Sequence, residues 1–134
     1  MTITRLYHAQ ITVLHEGEAT ARGFYRELLG LPELARTAAL AECGGFRVRL
    51  GDQQLHIGVG NGGERDATKA HLAYGVADLA VWRARLATAG TVVIASVPLP
   101  GYMRFECRDP FGNRRGFIQP RDVAAADTNA RAQD

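Results

Sequence analysis

The stretch "RFECRDPFGNRRGFIQP", residues 104–120 of a 134-residue chain, decides the fold. Its centre, Asp109-Pro110-Phe111-Gly112-Asn113, reads as a type I turn with Pro110 and Phe111 in the middle and Gly112 in the left-handed position. The flanks then become two antiparallel strands in which Asp109 faces Asn113, Cys107 faces Arg115 and Glu106 faces Gly116. Phe105 and Phe117 point to a core, whereas Glu106 and Gly116 point to the opposite side. Glycine inside a strand weakens it, so Gly116 raises the question of what its missing side chain would have done, and whether Glu106 stands in for it.

Working back from this hairpin, "AHLAYGV" (70–76) alternates like a strand. "ADLAVWRARLATAG" (77–90) reads as a helix closed by Gly90, and "TVVIA" (91–95) as extended chain. The same order occurs earlier: "RLYHAQITV" (5–13) is a strand, "EATARGFYRELLG" (18–30) a helix with an Ala21, Phe24, Tyr25, Leu28, Leu29 stripe, and "LPELARTAAL" a weaker extended segment. "FRVRL" and "QQLHIGV" then flank a Gly51-Asp52 hairpin loop. The chain is therefore an α+β protein of two βαβββ modules, residues 4–60 and 68–120, within a single domain (1–120). A polar connector spans 60–68, and 121–134 is expected to be a flexible tail.

Each helix has one apolar stripe and covers one sheet face, leaving the other face open. Alternation places Tyr7, Ala9, Ile11 and Val13 toward the helix, and His8, Gln10 and Thr12 away from it. Leu55, Ile57 and Val59 face the core, and Gln54 and His56 do not. Leu72, Tyr74 and Val76 alternate with His71 in the same way. The Gly51-Asp52 register sets Arg47 opposite His56 and Arg49 opposite Gln54, so both arginines join the polar face, where a bidentate fork suits a carboxylate or phosphate. Arg47 beside His56 also disfavours protonation of that imidazole. Three imidazoles and one carboxylate, His8, His56, His71 and Glu106, form a candidate divalent-metal set. Glu106 equally suits an ordinary ion pair with Arg104, Arg114 or Arg47. Trp82 reads as core and His15 as a surface residue.

Bulk properties exclude other classes. The 16 basic and 14 acidic residues give a charge of +2, with no basic block or aromatic–basic platform for nucleic acid. No apolar run reaches the roughly 20 residues of a membrane span. Two cysteines make neither a disulfide framework nor a zinc knuckle, so a cytoplasmic setting is expected.

On "YHAQITV", "GFYRELLGLPEL", "QQLHIGV", "AHLAYGVADL" and "RDPFGNRRGFIQP", the chain resembles the vicinal oxygen chelate superfamily of glyoxalases, ring-cleaving dioxygenases, fosfomycin-modifying enzymes and bleomycin-resistance proteins. The resemblance implies a half-open mixed-sheet barrel, a homodimer, and one divalent metal (zinc, nickel, manganese or iron) held by the first and last strands of each module. Those positions correspond to His8, His56, His71 and Gly116, so glycine stands where the family carries glutamate. Glu106 becomes the expected replacement ligand and the catalytic base. Gln10, Arg47, Arg49 and Tyr102 are expected to bind a small, anionic, oxygenated substrate. Isomerase- or lyase-type chemistry fits better than ring cleavage, whose iron sites use two histidines and one carboxylate. The alternative is a cavity that binds or sequesters a small molecule without turnover.

Overall fold

The computed structural model describes residues 1–36, 38, 44–61 and 68–121. The chain divides into two compact units, Met1–Arg65 and Asp66–Asp134, each built on one βαβββ module. In the first, β1 (His8–Leu14) is followed by α1 (Glu18–Arg22), β2 (Glu33–Leu34), β3 (Phe46–Leu50) and β4 (Gln53–Gly60). The sheet order is β1-β4-β3-β2, with β1 parallel to β4 and the other pairs antiparallel. The second unit repeats the plan with β5 (His71–Gly75), α2 (Leu79–Thr88), β6 (Ile94–Ala95), β7 (Tyr102–Arg108) and β8 (Arg114–Pro120). Its order is β5-β8-β7-β6, again with one parallel and two antiparallel pairs.

Both hairpin registers follow from their turns. Gly51, at φ +61°, closes the first and sets Arg47 opposite His56 and Arg49 opposite Gln54. Gly112, at φ +86°, closes the second and sets Glu106 opposite Gly116. Asp109 holds that turn: its carboxylate accepts the amides of Phe111 and Asn113, each at 2.8 Å, and the Asn113 side-chain amide at 2.9 Å.

One face of each sheet is dry. Val13, Leu55 and Ile57 are buried together with Phe24 and Tyr25 in the first unit, and Phe105, Cys107 and Phe117 with Leu79 and Leu86 in the second. Each such large side chain contributes about 1.5–3 kcal/mol on burial. Trp82 packs on Phe117 with ring centroids 5.7 Å apart, as a core-side helix residue should. Asp78 caps α2 by accepting the Val81 amide, and Gly90, at φ +83°, ends it.

Three details depart from the sequence reading, and a fourth adds to it. β1 begins at His8, paired with Gln54, and Tyr7 lies outside the strand and is exposed rather than core. The first helix is α-helical only over Glu18–Arg22 and then widens into a π-helical segment, Gly23–Leu28, in which the Leu29 amide donates to the Phe24 carbonyl. Widening lets the sequence neighbours Phe24 and Tyr25 both be buried. Among the described residues, the extended segments 31–40 and 91–95 pair only at Glu33–Leu34 and Ile94–Ala95. Arg115 also occupies the core face, 2% exposed, with its guanidinium 3.9 Å from the Asp109 carboxylate. Most of the connector and the tail beyond Arg121 lie outside the described residues.

Candidate active site

In the first unit, His8 and His56 come from the parallel strands β1 and β4 and stack face to face, with centroids 4.0 Å apart and planes 8° from parallel. His56 Nε2–H donates to Gln54 Oε1 at 3.0 Å, which leaves the lone pair on Nδ1. Burial, then His8 and Arg47, holds the His56 pKa below the usual imidazole value, which favours the neutral ring. Arg47 donates to the same Gln54 oxygen and, at 2.6 Å, to the Ala35 carbonyl. Gln10, Arg47 and His56 line one cavity of 310 Å³ with Arg36 and the glycines Gly45 and Gly58. The glycines permit close packing along its wall: a Cβ on Gly45 would strike the Ile57 carbonyl oxygen, and one on Gly58 would fall 2.6 Å from Gln10 Nε2. Arg49 is exposed and lines a separate recess beside the Gly51-Asp52 turn.

In the second unit, His71 is exposed at the start of β5, and its Nδ1–H donates to the Lys69 carbonyl at 2.9 Å. That bond fixes the tautomer and leaves the Nε2 lone pair outward. Gly116 is beside it, since a Cβ there would lie 3.3 Å from Ala73 Cβ and 3.7 Å from His71 Cδ2. Glu106, opposite Gly116, is an engaged carboxylate. Arg114 grips it through Nε and Nη2, the latter at 2.5 Å, and Ser96 Oγ donates to Oε1 at 3.2 Å. The Arg114 hydrogen bond is the main reason that the Glu106 pKa is lowered, with Ser96 and His71 adding to it. Of the three arginine partners open from sequence, the structure selects Arg114. Arg104 instead donates to the Val97 carbonyl, and Arg47 to Gln54 and Ala35. Ser96 was not legible, because it sits in a loop with no periodic signal. Tyr102 lines a different, 580 Å³ cavity with Ser96, Arg104 and the start of α2.

Among the described residues of either unit, no three His, Cys, Asp or Glu side chains are grouped as a ready metal cage. The imidazoles fit a divalent cation in type and tautomer, because His56 and His71 each tie one ring nitrogen to an acceptor and keep the other free. Metal–imidazole bonds lie in the ring plane, and the His8 and His56 rings occupy parallel planes one above the other. Sharing one ion requires one ring to turn out of the stack. Gly116 offers no donor, and both Glu106 oxygens are occupied.

The comparisons agree with this architecture. The profile of the glyoxalase/bleomycin resistance protein/dioxygenase superfamily matches residues 9–117, and the chain belongs to that superfamily. A Bacillus anthracis protein described as a glyoxalase family member is 32% identical over 90% of this chain and 98% of its own, with a TM-score of 0.83. Lower-identity structures share the fold. Lactoylglutathione lyase from Agrobacterium tumefaciens is 16% identical, with a TM-score of 0.67 over 89% of this chain and 96% of that one. A fosfomycin resistance protein from Listeria monocytogenes, in complex with Mn(II) and sulfate, is 13% identical, with a TM-score of 0.74 over 96% and 99%. No curated protein matches the chain significantly. Among the described residues no helix is long and apolar enough to cross a membrane.

Proposed function

We propose that this protein is a metal-dependent enzyme of isomerase or lyase type acting on a small, anionic, oxygenated substrate. By the superfamily's correspondence of positions, His8, His56 and His71 hold the divalent cation. The observation that carries this reading is the anchoring of His71, whose Nδ1–H is fixed on the Lys69 carbonyl so that Nε2 keeps its lone pair, with the ring's Cδ2 3.7 Å from where a side chain on Gly116 would start. A divalent cation there supplies Lewis acidity to adjacent substrate oxygens.

The protein's own groups do the rest. Gln10 and Arg47 line the cavity that reaches His56 and orient an anionic group, and Arg49 and Tyr102, which line other cavities, are kept as further substrate-binding candidates. Glu106 accepts the proton, and this requires it to leave Arg114, since in the ion pair its basicity is lowered. The protein is assigned as a homodimer in the cytoplasm.

One observation favours a second reading, in which the protein binds its ligand without turnover: Glu106 is neutralised by Arg114 rather than free to act as a base. The test is to incubate manganese-loaded protein with a panel of small 2-hydroxy acids, 2-oxo acids and thiohemiacetals of 2-oxoaldehydes, following products by NMR. Metal-dependent turnover that disappears in His71→Ala supports the enzyme. Saturable binding with no product, unchanged by chelator, supports the second reading.

A further inference from the structure

We infer that Arg114 is a positioning residue that competes with the bound cation for Glu106, holding this carboxylate away from the ligand position that Gly116 leaves bare. The inference rests on the metal reading above and concerns only residues of the second unit.

The geometry is compact. Glu106 is the direct cross-strand partner of Gly116, and His71 pairs with Arg114 across β5 and β8. Any side chain at 116 would start 3.7 Å from the His71 ring, so the space without a side chain adjoins that imidazole. Glu106 projects on the same face as Gly116 and is one strand away, a distance that a glutamate side chain spans. It does not turn toward His71, because Arg114, two residues before Gly116 on the same face, takes it with both fork nitrogens. The third nitrogen of Arg114 donates to the Lys69 carbonyl at 3.4 Å, the same oxygen that orients His71. One guanidinium therefore secures the carboxylate and shares the imidazole's anchor. A divalent cation on His71 and the Arg114 cation both attract Glu106, and it cannot satisfy both with the same oxygens.

The test is a calorimetric titration of metal-free protein with Mn(II), a hard ion whose affinity responds to an added carboxylate. Arg114→Gln is expected to tighten Mn(II) binding at least about tenfold, the scale on which partners of metal ligands act. Arg114→Lys, which keeps the charge and loses the fork, is expected to give part of that gain and serves if the glutamine variant folds poorly. Glu106→Gln alone is expected to change affinity little. In the double variant Glu106→Gln/Arg114→Gln the gain is expected to vanish. A gain that persists in the double variant would mean simple removal of positive charge and would overturn the inference, as would unchanged affinity in both Arg114 variants. His71→Ala separates the two levels: Mn(II) binding that survives it, or no binding in any protein, overturns the metal reading itself.

Discussion

Asp109→Ala is expected to destabilise the protein severely for a single turn residue. The carboxylate is fully buried, accepts three hydrogen bonds from Phe111 and Asn113, and lies 3.9 Å from the equally buried Arg115 guanidinium. Truncation leaves a buried cation without its carboxylate, a loss of about 3–5 kcal/mol in comparable pairs. The turn amides recover part of their own loss from water at the exposed Pro110 side, so they add about 1 kcal/mol at most. The expected total is about 4 kcal/mol, with Asp109→Asn at roughly half of it because one acceptor oxygen stays. Adding Arg115→Met to Asp109→Ala removes the orphaned charge and should restore at least about 1 kcal/mol. Urea denaturation read by the single tryptophan, Trp82, which packs on Phe117 of the same hairpin, measures all four proteins. A cost below about 1 kcal/mol for Asp109→Ala, or a further loss on adding Arg115→Met, would refute the reasoning. The site depends on this turn: a slip of one residue would carry Glu106 to the core face and Phe105 to the histidine face.

Glu106 has a lowered pKa, chiefly through Arg114, so its contribution to stability is full above the unfolded glutamate value and is lost as pH falls through the lower folded value. The stability gap between wild type and Glu106→Gln in urea should therefore be wide at pH 7 and close in the acid range. His56 carries a dependence of the same sign in a higher pH range. Its folded pKa is depressed by burial, His8 and Arg47, so stability falls as pH drops through the unfolded histidine value, and an NMR titration should find it below a free imidazole and raised in Arg47→Ala. Gly45→Ala should cost at least about 2 kcal/mol, because φ is +79° and the new Cβ would strike the Ile57 carbonyl. Gly58→Ala meets only the end of Gln10, so thermal melting should change little while ligand binding in that cavity weakens.

Much of the scaffold was legible because turn chemistry and alternation are local rules. Asp109-Pro110-Phe111-Gly112-Asn113 and Gly51-Asp52 set the two registers, and these put Glu106 opposite Gly116 and Arg47 opposite His56. Alternation also assigned the faces of His8, His56 and His71, but a face is not a rotamer. Nothing in a period-2 pattern says that His8 stacks on His56, or that Arg114 rather than Arg104 takes Glu106. Those outcomes depend on diagonal neighbours and on competing carbonyls, such as Val97 for Arg104. Arg115 shows the same limit. Its position on the core face followed from the register with Cys107, yet its burial requires Asp109, across the turn, as a charge partner inside the fold. The π-helical widening at Gly23–Leu28 left no sequence signature beyond two adjacent apolar aromatics.

The most direct test of the metal site is elemental analysis of untagged protein, with His8→Ala and His71→Ala measured in parallel. The metal reading predicts about one tightly held divalent ion per chain, lost in both variants. No metal above background in wild type, or a full complement in both variants, would contradict it.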